Sequence, residues 1–172
     1  TLVKSSAASD VYKRQIDKDV PHFINYVLLD RSFFGFKEAL AFKESRGSYR
    51  AVNTLGYLGK YQFGISTLEV LSIFDTSHFL SSPEIQEKAF LANLKRNKWI
   101  LRHEINFFIG IKINNITVTE SGILAAAHLA GPGNVKRYLR SFGSKDVKDI
   151  FGTNISNYML KFSDFDIRNI IE

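Results

Sequence analysis

Apolar residues recur at helical spacing along most of the chain from Ile16 onward, and this period limits the possible folds more than any other feature. Phe33, Phe36 and Leu40 follow one another at steps of three and four, which predicts a helix with one apolar face. Gly47 is a suitable end for that helix. The fold class that this pattern predicts is mainly α, of the α+β kind.

Residues with known preferences for helix ends predict the bounds of the other helices. Helices should begin at Pro21, at the capping box STLE at 66–69, at SSPEIQ at 81–86, at TVTE at 117–120, and at Gly133 or Asn134. A weaker helix should span about 154–162. The helix from SSPEIQ should be the longest and reach Trp99, and the helix from TVTE should end at Gly131. The alternating stretch IGIKIN at 109–114 predicts a short strand.

The length of 172 residues suits a single domain over residues 16–172. Residues 1–15 lack the apolar segment of a signal peptide, and we expect them to be a non-native or disordered leader. No apolar run approaches the ~20 residues that span a bilayer, so we expect no stable membrane insertion. The chain has no cysteine, and its four histidines lack metal-ligand spacing, so we expect no metal site and no cofactor.

Lysine and arginine outnumber aspartate and glutamate by 23 to 17, which gives the chain a net charge of +6. A basic surface attracts anionic polymers, among them nucleic acid, acidic lipid and bacterial cell wall. The cations are dispersed along the chain and form no basic stripe on a recognisable binding fold. We therefore expect no nucleic-acid partner.

The stretch from 48 to 64 interrupts the helical pattern with glycines that alternate with aromatic residues. It predicts turns and a small irregular β portion after the first of these helices. Aromatic faces on a glycine-rich backbone suit sugar rings, and amides suit hydroxyl and N-acetyl groups. The side chains of this kind are Tyr49, Tyr57, Tyr61, Phe63, Asn53 and Gln62. A tyrosine-rich loop that packs on its own domain is the alternative.

Glu44 continues the apolar stripe of the helix that contains Leu40, four residues further on. Its carboxylate therefore lies on the same face as the apolar residues and should be partly withdrawn from water. A partly desolvated carboxylate is suited to act as a general acid. The alternative is that Glu44 is the first exposed residue where the helix ends.

Two motifs, in this order, resemble the lysozyme-like lytic transglycosylase family. The first is Glu44-Ser45 at a helix end, followed by AVNTLGYLGKYQFG at 51–64, which is similar to the Gly-x-x-Gly-x-x-Gln segment of that family. The second is AAAHLAGPGNV at 125–135, which is similar to its Ala-Tyr-Asn-Ala-Gly-Pro-Gly-Asn-Val element. A weaker match, DIFGTNISNYMLKF at 149–162, resembles the closing helix of phage and cell-wall-associated members. The resemblance covers about residues 33–165 and implies a lysozyme-like fold.

The resemblance implies cleavage of the β-1,4 bond between N-acetylmuramic acid and N-acetylglucosamine in peptidoglycan, with Glu44 as the catalytic acid. Glu44 would then act as the base on the muramoyl C6 hydroxyl, which gives a 1,6-anhydro product. The implied substrate-binding residues are Ser45, Tyr57, Gln62, Phe63, His128, Gly131, Asn134 and Tyr158. His128-Leu129 departs from the Tyr-Asn pair of the family. His128 would replace the tyrosine hydrogen bond or serve as a structural histidine, and Tyr158 is a second substitute.

Two alternatives to the transglycosylase reaction remain open. A hydrolytic muramidase often uses a second carboxylate, but Glu69, Asp75, Glu104 and Glu120 have no motif context that points at Glu44. A non-catalytic peptidoglycan-binding domain would retain the fold. We expect peptidoglycan glycan strands as the partner, action on the bacterial cell wall, and a monomer.

Overall fold

Helices account for most of the residues that the computed structural model describes, which are 30–148 and 152–167. Apart from Asp30, these residues belong to one unit of the chain, Arg31–Glu172. The expected leader at 1–15 and the expected helix from Pro21 lie outside the described residues. The prediction of a mainly α protein is confirmed.

Eight helices and one two-stranded sheet occur in the described part of the chain. The helices are α1 (Phe33–Ser45), α2 (Ile65–Val70), α3 (Thr76–Ser81), α4 (Pro83–Ile100), α5 (Arg102–Phe108), α6 (Glu120–Ala130), α7 (Pro132–Arg140) and α8 (Ile155–Lys161), and the strands are β1 (Lys112–Ile113) and β2 (Ile116–Thr117). The sequence patterns do not predict α3 and α5. Both have fewer than eight residues, which is too short for a clear helical period.

Side-chain caps explain where the longer helices begin. The Ser82 hydroxyl accepts a hydrogen bond from the Ile85 N–H before Pro83, and the Thr119 hydroxyl accepts one from the Gly122 N–H. The capping box predicted at 66–69 is wrong. The helix α2 begins at Ile65, because the Gly64 carbonyl already accepts the first helical hydrogen bonds.

Among the described residues the β structure is small and consists of one two-stranded sheet and a few isolated bridges. The strands β1 and β2 pair through a turn at Asn114 and Asn115, both in the left-handed region that hairpin turns require. Only Lys112 and Ile113 of the predicted strand at 109–114 are extended in this way. The predicted irregular β portion after α1 consists of isolated bridges that join Leu58 to Val52 and to Phe63.

The helix α6 lies at the centre of the described unit, and α4, α7 and α8 pack on it. Seven consecutive residues of α6, 121–127, are buried. A side chain at Gly122 would meet the Met159 carbonyl of α8 at 2.7 Å, so the absence of a side chain lets the two helices approach closely. The helix α1 joins this core through Phe36, which packs edge to face with Phe162.

None of the helices in the described ranges is both long and apolar enough to cross a bilayer. The packing described above also brings the end of α1 beside α8, and this contact forms the candidate site.

Candidate functional site

Glu44 lies in the last turn of α1 and is half-buried. The Tyr158 hydroxyl, from α8, donates a hydrogen bond of 2.5 Å to Oε1 of this carboxylate. The Tyr158 ring is buried and tilts against Phe162 at 5.4 Å between centroids, which fixes the position of its hydroxyl. Glu44 Oε2 forms no hydrogen bond among the described residues, and is left for another group.

The chain turns sharply after Glu44, and Ser45 ties this turn to the loop that follows. Arg46 adopts the left-handed conformation that ends α1, one residue before the predicted Gly47. The Ser45 hydroxyl donates to the Lys60 carbonyl at 2.7 Å. The residue beside the candidate acid is therefore held by the loop that contains the remaining glycines and tyrosines.

The surface hollow at Glu44 is strongly basic. Lys43, Arg46 and Lys161 line it together with Ser45. Burial, and then the nearby charge of Lys43, lower the pKa of Lys161. A hollow with three cations around one carboxylate is electrostatically suited to an anionic ligand.

A second depression, which we call the α4 cleft, has a volume of about 320 Å³ and lies between the glycine-rich loop, α4 and the junction of α6 with α7. Its walls include Tyr57, Gln62, Asn93, Asn97, His128 and Gly131. The predicted site residues are thus divided between two depressions. Glu44 and Ser45 line the first, whereas Tyr57, Gln62, Phe63, His128 and Gly131 line the α4 cleft.

The backbone from Lys60 to Gln62 connects the two depressions. The Lys60 carbonyl accepts from Ser45 at 2.7 Å, and the next carbonyl, that of Tyr61, is 2.8 Å from His128 Nε2. Gln62, which follows, lines the α4 cleft and has a positive φ of 50°. Its Nε2 donates to the Gly59 carbonyl at 2.9 Å, so its amide supports the loop as well as facing the cleft.

His128 has both ring nitrogens in use within the protein. Since a carbonyl can only accept, Nε2 carries the proton and donates to Tyr61. Nδ1 then accepts from the Asn93 amide at 3.4 Å, and the ring packs edge to face on Phe63 and Phe90. His128 is therefore engaged within the protein although it lines the α4 cleft, and Tyr158 is the residue that contacts Glu44.

The three loop tyrosines differ in exposure, and the sugar-binding floor predicted from all three is wrong for Tyr61. Tyr61 is fully buried and stacks on Phe90 with 4.0 Å between ring centroids. Phe63 is also buried, so little of its ring is open although the residue lines the α4 cleft. Tyr57, which is 41 % exposed, is the loop tyrosine that lines the α4 cleft.

Local backbone structure depends on three further predicted residues, Asn53, Gly131 and Asn134. The Asn53 carboxamide oxygen accepts from the N–H groups of Leu55 and Tyr57 and so closes a turn. Gly131 has a φ of 77° and ends α6. Asn134 donates to the Ala130 carbonyl at 2.8 Å across the junction of α6 and α7.

Beneath the loop lies a charged cluster that the sequence patterns do not predict. Lys60 is only 4 % exposed, and its ammonium group lies 2.7 Å from Glu38 and 2.9 Å from Glu87. Lys37 lies 2.7 Å from the other oxygen of Glu87, and the hydroxyls of Tyr49 and Tyr61 donate to the same carboxylate. We call these six residues the Lys60 cluster: Lys37, Glu38, Tyr49, Lys60, Tyr61 and Glu87.

The pKa values within the Lys60 cluster favour the charged forms of Lys60 and Glu87. Burial alone would raise the pKa of Glu87, but hydrogen bonds from Lys37, Tyr49, Lys60 and Tyr61 outweigh it and lower the pKa to about 2. Burial would lower the pKa of Lys60, but its bonds to the two carboxylates raise it well above the usual range. Burial and the Glu87 charge raise the pKa of Tyr61. Lys60 and Glu87 are therefore held in their charged forms beneath the loop, and Tyr61 is held neutral.

Gln86, from α4, is the second residue that supports the loop. It is fully buried, its Oε1 accepts from the Lys60 N–H at 2.8 Å, and its Nε2 donates to the carbonyls of Tyr49 and Phe79 at 2.9 Å. Gly59 packs against this amide with a φ of 76°, and any side chain there would collide with it. The glycine-rich stretch predicts turns here, but no local sequence pattern indicates Gln86 of α4 as the partner of Gly59.

The other carboxylates considered from the sequence are engaged elsewhere. Glu104 is buried and pairs with Arg140 at 2.5 Å, and Glu120 lies 3.1 Å from Lys98. The Asp75 carboxylate caps α3 through the His78 N–H, and Glu69 is exposed on α2. Within residues 30–148 and 152–167, no group of three or more His, Asp and Glu side chains is placed to hold a metal ion.

No protein-family model, curated protein or solved structure matches this chain.

Proposed function

We propose that this protein cleaves the β-1,4 bond between N-acetylmuramic acid and N-acetylglucosamine in peptidoglycan, as a lytic transglycosylase with a lysozyme-like fold. The observation that carries the proposal is the contact between Glu44 and Tyr158. The motif resemblance selects Glu44 as the acid, and this half-buried carboxylate is oriented by a phenol from the other end of the described unit.

The two oxygens of Glu44 have different roles in this chemistry. Oε1 accepts from Tyr158, which leaves Oε2 to carry the proton. Oε2 protonates the glycosidic oxygen as the bond from that oxygen to the muramoyl C1 breaks. The resulting carboxylate then removes the proton from the muramoyl C6 hydroxyl while C6 oxygen bonds to C1, which closes the 1,6-anhydro ring. The proton balance is restored without a water molecule.

The surroundings of Glu44 favour this route over hydrolysis. A muramidase of the two-carboxylate type needs a second acid beside the scissile bond. Among the described residues, the hollow at Glu44 is lined by cations and carries no other carboxylate. The basic hollow also suits an anionic wall polymer, in a manner that salt would weaken.

Mass spectrometry of the muropeptides released from purified sacculi tests the reaction. We expect 1,6-anhydromuramoyl ends, which are lighter by one water than hydrolysed ends. Exclusively reducing muramic acid ends would instead establish hydrolysis, the alternative chemistry at the same acid.

A matched pair of variants tests whether the protein is an enzyme at all. Glu44→Gln should lower the rate of wall cleavage by about 10²- to 10⁴-fold, the usual contribution of a general acid. Glu69→Gln, which changes an exposed glutamate of α2, should cleave as the parent does. If the parent and Glu44→Gln are equally inert and both still bind sacculi, the protein is a peptidoglycan-binding domain.

A further inference from the structure

Two phenylalanines, Phe107 of α5 and Phe142 after α7, form an exposed aromatic surface around the buried Phe108. The centroids of their rings lie 4.8 and 5.6 Å from that of Phe108. Phe107 is 65 % exposed, Phe142 is 58 % exposed, and Ile109, next to Phe108 in the chain, is 48 % exposed. Single exposed apolar residues are ordinary, but a contiguous group marks an interaction surface. We call Phe107, Phe108, Ile109 and Phe142 the aromatic ridge.

The backbone at Phe142 favours a smaller residue. The N–H groups of Gly143 and Phe142 donate to the carbonyls of Tyr138 and Leu139, which is the Schellman pattern at the end of α7. Phe142 takes the left-handed position of this pattern, with a φ of 49°, where glycine or asparagine usually stands. A bulky residue there is strained, and most of the ring lies outside the core. The fold alone therefore does not account for a phenylalanine at this position.

The β1–β2 hairpin lies against the same turn, and a lysine from each is close to the ridge. Asn114 Nδ2 donates to the Gly143 carbonyl at 3.5 Å, which places the hairpin beside Phe142. Lys112 belongs to β1, and Lys145 is three residues beyond Phe142, within about 11 Å along the chain. Both lysines are exposed, and neither pairs with an acid in the part of the chain that the structure describes.

The segment that contains the ridge, residues 102–148, has seven lysines and arginines but three acids. All three acids have partners within the protein: Glu104 is buried against Arg140, Glu120 lies 3.1 Å from Lys98, and Asp146 accepts from the Ser156 hydroxyl at 2.6 Å. The charges that this segment leaves to the solvent are therefore mainly positive. A second copy of the chain on the ridge would bring like charges together, whereas an anionic partner would be attracted.

We infer that the aromatic ridge docks the protein on the surface of an anionic lipid bilayer. The rings of Phe107 and Phe142 enter the boundary between headgroups and acyl chains, and Lys112 and Lys145 contact the anionic headgroups. Phenylalanine has no hydrogen-bonding end, unlike tyrosine and tryptophan, so the ridge suits an acyl region better than a nucleic-acid base or a polar protein surface. The inference does not rest on the proposed function, because no residue of the ridge lines the hollow at Glu44 or the α4 cleft.

Co-sedimentation of the full chain with lipid vesicles tests the inference. The probes are vesicles of phosphatidylcholine alone and vesicles of phosphatidylcholine mixed equally with phosphatidylglycerol. We expect at least about 25-fold tighter binding to the mixed vesicles at low salt, since each of two cations contributes about fivefold near an anionic surface. Added salt should weaken this binding. Equal binding to the two kinds of vesicle, or no binding to the mixed ones, would overturn the inference.

Phe142→Asn separates docking from folding. Asparagine tolerates the left-handed conformation, so the relief of backbone strain should offset the lost contact with Phe108, and the thermal midpoint should change little. The same variant should bind the mixed vesicles about tenfold more weakly, because one ring no longer leaves water. Phe107→Ser should weaken binding to a similar extent. Unchanged binding in both variants would refute the role of the ridge.

Controls outside the ridge separate docking from nonspecific adhesion. Phe74→Ser removes a phenylalanine that is 75 % exposed and lies outside the ridge, and it should bind as the parent does. Lys145→Gln should weaken binding about fivefold, whereas Lys88→Gln, which changes an exposed lysine paired with Glu84, should not. Control variants that lose as much binding as the ridge variants would overturn the inference.

Sedimentation without lipid distinguishes the bilayer from a second copy of the chain. We expect a monomer, and a dimer that Phe142→Asn dissociates would assign the ridge to self-association instead. Cleavage of sacculi is measured separately, and Phe142→Asn should cleave them as the parent does. A chain that binds mixed vesicles through the ridge but leaves the wall intact refutes the enzymatic proposal alone.

Discussion

The Tyr158 hydroxyl donates a hydrogen bond of 2.5 Å to the Glu44 carboxylate, and the two residues are 114 positions apart in the sequence. The contact forms because α8, which carries Tyr158, packs on α6, while α1 is held to the same core through Phe36 and Phe162. The candidate acid and the group that orients it thus belong to opposite ends of the described unit.

Tyr158→Phe should reduce wall cleavage by about 10- to 100-fold, because a hydrogen bond to a charged group is worth about 1.5–3 kcal/mol. The ring contact with Phe162 remains, so the thermal midpoint should change little. Tyr138→Phe, which removes the hydroxyl of a buried tyrosine in α7, is the control and should retain activity. Full activity in Tyr158→Phe would show that the hydroxyl does not orient Glu44.

Lys60→Met should destabilise the protein by about 3 kcal/mol, because it leaves Glu38 and Glu87 without their shared buried cation. Denaturant unfolding measures the change. Lys88→Met is the matched control, since Lys88 and Glu84 form an ion pair with both side chains exposed. Loss of this exposed ion pair should leave the unfolding midpoint unchanged. Equal midpoints for the two variants would contradict a structural role for the Lys60 cluster.

Glu87 should make stability depend on pH in the acid range. Its pKa is about 2 in the folded protein, because four hydrogen bonds outweigh burial, against about 4.3 unfolded. A carboxylate with a lowered pKa contributes stability that is fully present above the unfolded pKa and is lost as pH falls through the folded pKa. The parent should therefore lose stability between about pH 5 and pH 2 more steeply than Glu87→Gln, by up to roughly 3 kcal/mol.

Unfolding by denaturant at several pH values measures this difference. The free energies of unfolding of the parent and Glu87→Gln should converge as the pH falls. A gap that stays constant from pH 6 to pH 2 would show that Glu87 has the same pKa folded and unfolded.

Gly59→Ala should destabilise the protein by about 2–4 kcal/mol. Gly59 has a φ of 76°, and an added Cβ would lie 2.7 Å from Cδ of Gln86, so the variant has both backbone strain and a collision. Gly56→Ala is the control in the same loop, with a φ of 79° and open space around it. It should cost only the backbone term of about 1–2 kcal/mol. Equal losses of stability in Gly59→Ala and Gly56→Ala, measured by thermal or denaturant unfolding, would show that Gln86 moves aside.

Features with a local cause could be predicted from the sequence. The starts of α4 and α6 follow from Ser82 and Thr119, whose hydroxyls cap N–H groups three residues ahead. The end of α1 near Gly47 and the position of Glu44 on its face follow from the helical period. These signals need only a few neighbouring residues, and the structure confirms the helix ends that they predict.

Features with distant partners could not be predicted in the same way. Lys60 pairs with Glu38 and Glu87, which are 22 and 27 positions away, and no local pattern marks a lysine as buried. The Tyr61 ring looks like an exposed loop aromatic in the sequence. It is buried because α4 supplies Phe90 to stack on it and Glu87 to accept its hydroxyl.

The packing of α8 on α6 also determines when the candidate site can form during synthesis. A ribosome that adds roughly 5–20 residues per second takes about 6 to 23 seconds to cover the 114 positions from Glu44 to Tyr158. Throughout that interval the nascent chain already contains the candidate acid but lacks the phenol that orients it. A protein that cuts cell wall in this way would become competent only once nearly all of the described unit had left the ribosome.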